Sequence, residues 1–95
     1  PMVIDSREFL QDPRVMLEAI CARLQIDFSE KMLHWPAGRR DTDGVWARYW
    51  YDSVWQSTGF APWRERHYRL NEKDAEIARQ ARLYYEKLHR FRLQP

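Results

Sequence analysis

Asp12-Pro13-Arg14-Val15-Met16-Leu17-Glu18-Ala19-Ile20-Cys21-Ala22-Arg23-Leu24 decides the class of the fold. An Asp before a Pro is a helix start. The carboxylate accepts from first-turn N–H groups that have no partner of their own, and proline sits where a missing N–H costs nothing. Leu17, Ile20, Cys21 and Leu24 then recur at i, i+3, i+4 and i+7, one apolar face of a helix. The spacing predicts a helix over 13–24, with Cys21 as a small core residue on its stripe.

Upstream, Met2-Val3-Ile4 is a short β-prone run closed by Asp5-Ser6, which predicts a brief strand. Three apolar residues without alternation suit a strand covered on both faces, and no second strand is evident to pair with it. Downstream, Ser29 with Met32 and Leu33 predicts a short helix stopped by Pro36. Residues 36–44 carry a proline, two glycines and no apolar pattern, and so form a loop. Val45 to Gly59 predicts a third helix, with Trp46, Tyr49, Trp50 and Val54 on one side. Asn71 with Asp74 three residues later marks another start. Ile77, Ala81, Tyr84, Leu88 and Phe91 follow at spacings of four, three, four and three, a long amphipathic helix over about 72–91. The expectation is one mainly α domain over 1–95, with about four helices and one short N-terminal β-strand.

Sixteen Lys and Arg against fourteen Asp and Glu leave a formal charge of +2, with the two signs interleaved along the chain. Non-specific nucleic-acid binding draws on a concentrated basic face, so a nucleic-acid partner is disfavoured. The lone Cys21 excludes a disulfide framework and a cysteine metal site, and points to a reducing, cytoplasmic location. No apolar run approaches the length of a membrane span. His34, His67 and His89 fall in no metal-binding spacing. Five Trp, five Tyr and four Phe are a heavy aromatic load for 95 residues. A small core cannot hide them all, and the remainder suit a groove or a subunit contact.

Val3-Ile4-Asp5-Ser6-Arg7-Glu8-Phe9-Leu10-Gln11-Asp12-Pro13 followed by the Leu17 to Leu24 helix resembles the late strand and following helix of bacterial P-loop sulfotransferases, in which an acidic connector and Asp-Pro lead into an amphipathic helix. Arg39-Arg40-Asp41-Thr42-Asp43-Gly44-Val45-Trp46 is similar to the family's Arg-Lys-Gly-x-x-Gly-x-Trp segment in its paired cations, its glycine and its tryptophan. It departs by carrying Asp41 and Asp43. Trp50 to Phe60 looks like the bacterial members in particular. The resemblance implies that the chain corresponds to the family's C-terminal portion. It also implies that Arg39, Arg40, Gly44 and Trp46 contact the 3′-phosphate of 3′-phosphoadenosine 5′-phosphosulfate (PAPS) or of adenosine 3′,5′-bisphosphate.

From the residues themselves, two arginines in a glycine-bearing loop before a helix suit a phosphate, because guanidinium groups bind it bidentately. The alternative is a solvated pair balanced by Asp41 and Asp43. No G-x-x-x-x-G-K-[ST] loop occurs in the 95 residues, and Lys31 and Lys73 have no glycines around them. Catalysis by the isolated chain is therefore not expected, no residue is assigned a catalytic or metal-binding role, and no cofactor is assigned to the chain alone. Three functions remain. The first is a non-catalytic helical domain acting by self-association, as a homodimer, or by partner binding. The second is one part of a PAPS-dependent sulfotransferase whose P-loop half a partner supplies. The third is a small-ligand or nucleic-acid binder using the aromatic helix.

Overall fold

Asp5 starts the first helix of the computed structural model, which describes residues 1–95. Its Oδ1 accepts from the backbone N–H of Arg7 at 2.9 Å and of Glu8 at 3.1 Å, capping α1 (Ser6–Gln11). Asp12 then ends α1 and caps α2 (Pro13–Leu24) through the Val15 N–H at 3.1 Å. One residue between the helices forces a sharp corner that packs α1 against α2. Gln25 closes α2 in the left-handed conformation at φ 57°, while the Ile26 N–H reaches the Cys21 carbonyl at 3.0 Å. Glycine adopts that φ without strain; glutamine does not.

Ser29 caps a 3₁₀ turn over Glu30–Met32, the short second helix expected from Met32 and Leu33. The bidentate grip of Arg14 on Glu30 ties this turn back to α2. Beneath it, Cys21 Sγ lies 3.8 Å from Met32 Sδ. The aromatic segment is two helices rather than one, α3 (Ala47–Trp50) and α4 (Asp52–Gln56), broken at Tyr51. The single face expected for Trp46, Tyr49, Trp50 and Val54 is lost with that break, and all four are exposed. The last helix, α5 (Glu72–His89), starts behind Asn71, whose side chain accepts from the Asp74 N–H at 2.8 Å. About half of the chain is helical, mainly α as the periodicities require, with five α-helices and one 3₁₀ turn in place of about four helices.

The expected N-terminal strand is a correction. Val3 makes a single parallel bridge with Arg92, closed by the Leu93 N–H on the Val3 carbonyl at 2.8 Å. Arg92 directly follows the turn ending α5, and the pairing there is this single rung. A second isolated bridge joins His34 to Gly59, with Trp35 N–H on the Thr58 carbonyl at 3.0 Å beside it. It holds residues 34–38 against the end of α4. The Phe60 ring stands edge-on to Phe9 at 5.0 Å and to Trp35 at 5.2 Å, joining this segment to α1.

Only Met16, Cys21, Leu33 and Ala47 are buried, two of them in α2, one after the 3₁₀ turn and one at the start of α3. Helix α5 buries nothing. It is held at its C-terminal end, where the Tyr85 hydroxyl donates to Asp5 Oδ2 at 2.8 Å and Arg92 Nε donates to Glu8 Oε1 at 2.8 Å. The accessible surface is 8762 Å², against roughly 5900 Å² for a compact folded monomer of this mass. The radius of gyration is 16.7 Å, against roughly 12 Å for a compact domain of this length. No helix is long and apolar enough to cross a membrane.

Candidate functional site

The loop after Pro36 is shaped by one carboxylate. Asp43 Oδ2 accepts from the Arg40 backbone N–H at 3.0 Å and from the Trp55 indole N–H at 2.8 Å. The Asp43 N–H in turn reaches the Arg40 carbonyl at 3.0 Å, closing a tight turn over 40–43. The Arg40 backbone N–H, and after it the Trp55 indole, hold the Asp43 carboxyl below its ordinary value of 3.8. The Gly38 N–H donates to the Trp55 carbonyl at 2.7 Å, so the loop is fastened to α4 at both ends. Gly38 has φ 115°, which an L side chain rarely adopts, and this lets the chain turn back there.

These contacts open a cleft of about 380 Å³ lined by Arg39, Arg40, Asp43, Gly44, Arg48 and Trp55, with Val45 and Ala47 beside them. The Arg39 guanidinium lies over the Trp55 ring at 4.4 Å, which fixes its plane without using its N–H donors. Arg40 donates through Nη2 to the Pro36 carbonyl at 3.0 Å, which leaves most of its fork unused. None of the three arginines forms an ion pair within the chain. The cleft thus gathers three cations and one carboxylate whose Oδ2 already holds two donors. Its chemistry is that of an anion site. A nucleophile or a proton acceptor is not among its side chains beyond the engaged Asp43.

Arg39, Arg40 and Gly44 meet as the sequence suggested. Trp46 does not join them: it is 68% exposed and leans on Tyr49, ring centroids 6.2 Å apart. Trp55 takes the aromatic place in the cleft. Arg48 is the second residue that sequence reasoning missed. Arg48 reaches the cleft from the first turn after the loop, and Trp55 reaches it through its hydrogen bond to Asp43, a contact no local spacing announces. The helix following the loop contributes little field, since α3 has only four residues and few aligned peptide dipoles. The site therefore rests on its side chains. Asp43 serves as the loop's internal fastener through Oδ2, while its carboxylate also borders the cleft.

A second cluster lies where α5 meets α1. Asp5 Oδ2 sits 3.5 Å from His89 Nε2 and accepts from Tyr85, whose ring stacks on His89 at 5.5 Å. The Tyr85 hydroxyl, followed by the Glu8 N–H, lowers Asp5 from its ordinary 3.8, while Asp5 raises Tyr85 above 10.0. Trp63, Leu88 and Arg92 help enclose a cavity of about 470 Å³ there. Asp5, Tyr85, His89 and Arg92 are engaged with groups of this chain there, which makes the cluster a fastening for α5. Across the molecule, no three His, Cys, Asp or Glu side chains converge as metal ligands would.

Comparison with known proteins adds the ancestry. The model of the sulfotransferase domain family matches residues 1–90. Branched-chain-amino-acid aminotransferase-like protein 1 of Arabidopsis thaliana is 49% identical over 61 residues, which is 64% of this chain and 11% of that protein. Branched-chain-amino-acid aminotransferase-like protein 2 of the same plant is 43% identical over 61 residues, again 64% of this chain and 11% of the relative. The chain thus spans about a tenth of the length of these curated relatives. No solved structure matches.

Proposed function

Taking as premise that this chain belongs to the sulfotransferase domain family, we propose that it works as a non-catalytic, association-dependent unit, whose apolar surface is completed by another chain. The observation that carries this is the accessible surface of 8762 Å² with four buried residues. A domain that folds alone does not leave Trp46, Tyr49, Trp50, Ile77, Tyr84 and Phe91 in water together. Apolar surface of that extent drives association, because removing it from water contributes about 25 cal/mol per Å² before the costs of docking. The aminotransferase wording in the relatives' names attaches to proteins of which the chain spans 11%, and it is not carried over.

Amide exchange on the isolated chain at low micromolar concentration tests this. The expected result is measurable protection around Met16, Cys21 and Leu33 and near-random exchange through α5. A monomer with uniformly protected helices and a cooperative unfolding transition would overturn association as its mode of action. Incubation with PAPS and phenolic, alcohol or amine acceptors should give no sulfated product, since the cleft holds no available base; measurable turnover lost with Arg39→Ala would refute the non-catalytic assignment.

A second function is supported by the cleft itself, a contact to the 3′-phosphate of PAPS or adenosine 3′,5′-bisphosphate. Arg39 and Arg40 fit a phosphate, and Arg48 adds a third cation within the same 380 Å³. When bound, PAPS supplies the sulfuryl group; this chain's residues would hold only the nucleotide end. From these three arginines alone, affinity on the order of 1 mM is expected, about 4 kcal/mol of binding. Chemical-shift titration checks it: saturable shifts at Gly44 and the Trp55 indole, weakened several-fold by Arg40→Ala, are the supporting result. No saturation at millimolar ligand would remove the nucleotide from the proposal.

A further inference from the structure

The long helix α5 is an amphipath whose stripe finds no partner among these 95 residues. Ile77, Ala81, Tyr84, Leu88 and Phe91 repeat at four, three, four and three residues, the seam spacing of paired helices. Ile77, Tyr84, Leu88 and Phe91 are between 55% and 77% exposed. The fastening to α1 uses Tyr85, His89 and Arg92, each one position beyond a seam residue, and so grips the flank of the stripe; of the stripe itself only Leu88 borders the cavity there, and it stays 57% exposed.

We infer that α5 is a self-recognition seam, on which a second copy of this chain pairs its own α5 in antiparallel sense. This rests on the association-dependent function proposed above and names the partner. Charge selects the direction. The first turn carries Glu72 and Asp74 and the last turn carries Lys87 and His89, with Arg90 just beyond. Parallel pairing would set acid against acid at one end and base against base at the other, with helix dipoles aligned. Antiparallel pairing brings acidic turns onto basic turns at both ends and opposes the dipoles. Shape selects the register. With the two-fold axis between Arg82 and Leu83, Ile77 meets Leu88 of the second copy and Ala81 meets its Tyr84. The four central layers are then large on medium or small on large, as interdigitated layers need, and outside them Phe91 falls beside Asp74 of the second copy. A parallel seam would put Tyr84 on Tyr84 and leave Ala81 facing Ala81. The flanking positions agree: Gln80 falls beside Lys87 and Ala78 beside Tyr85, with no like charges opposed. One self-complementary face buries the same surplus on both copies.

Sedimentation and disulfide trapping on the full chain decide it. The wild type should sediment as a dimer at tens of micromolar, and Leu88→Glu should weaken dimerisation by at least ~100-fold. Leu88 is exposed in the protomer, so its helicity by circular dichroism should stay unchanged. With Cys21→Ser as background, Ile77→Cys together with Leu88→Cys should give an interchain disulfide under mild oxidation. Eleven residues on one helix separate these two thiols by about 16 Å, so they cannot close within a chain. Ile77→Cys alone should not cross-link. Rapid cross-linking of Ile77→Cys alone, or a dimer indifferent to Leu88→Glu, would overturn the antiparallel seam. So would a monomeric wild type. A monomer with unprotected α5 amides would overturn the seam and leave association with a different chain standing; a monomer with protected α5 amides would remove both.

Discussion

Helix α2 begins at Pro13 behind the Asp12 cap, and α5 begins at Glu72 behind the Asn71 cap. Each carries an apolar stripe at helical spacing, and each ends near a basic residue. Yet α2 buries Met16 at 2% and Cys21 at 3% exposure, whereas α5 buries no residue along 18 positions. Short-range signals therefore specify that a helix forms but say nothing of whether its stripe finds cover. For α2 cover comes from close along the chain, through α1 and the 3₁₀ turn held by Arg14 and Glu30. For α5 these residues provide a fastening at one end. What stabilises it alone is local: the cap, the Glu76–Arg79 pair and the Arg82–Glu86 contact at 3.2 Å. Exposed pairs of this kind contribute at most a few tenths of a kcal/mol each.

The contrast is broken most directly at Met16. Met16→Ala should cost about 3 kcal/mol in denaturant unfolding, since it removes a fully covered side chain and leaves a cavity. Ile77→Ala in the monomer should change stability by less than about 0.5 kcal/mol. Equal effects at the two sites would mean that α5 is as well covered as α2. Next in size is the cap: Asn71→Ala should destabilise α5 by about 1 kcal/mol, read as lost helicity. The same change is felt strongly because little tertiary packing holds this helix. Gln25→Gly should act the other way, stabilising α2 by about 0.5 kcal/mol through relief of the φ of 57°. The smallest expected effect is on the loop. Asp43 is held below its ordinary 3.8, so its contacts are fully present above that value and disappear as pH falls through the lowered one. The Trp55 indole N–H signal should therefore stay put near neutrality and move only in strong acid. A shift centred near neutral pH would show that Asp43 is not its partner.

How much of this was legible follows the same division. Asp12-Pro13 announced α2 to the residue, and Asn71 announced α5, because a cap is written in two or three neighbouring positions. Helix α1 is too short to show a periodicity of its own, although Asp5 and Glu8 stand at capping distance, and the apolar run before Asp5 reads as a strand closed by a turn. The break at Tyr51 is illegible, since nothing in Trp50-Tyr51-Asp52 forbids helix and the interruption is a single residue at φ −101° and ψ 8°. For the same reason Arg39, Arg40 and Gly44 could be named from their loop, whereas Arg48 and Trp55 arrive only with the fold. The Asp43 carboxylate was visible but its role was not. A charge in a sequence has no direction until its hydrogen-bond donors are in place.

The sulfur pair beneath α2 gives the molecule a built-in clock. Cys21 is its sole thiol, and it is shut away beside Met32 at 3.8 Å. A thiol reagent can reach it only when α2 lifts from the 3₁₀ turn, so the labelling rate counts those openings one by one. Because α5 takes no part in that shelter, the clock runs independently of whatever happens to the last helix. It can be read in a crude mixture, from a single residue, without unfolding the protein at all.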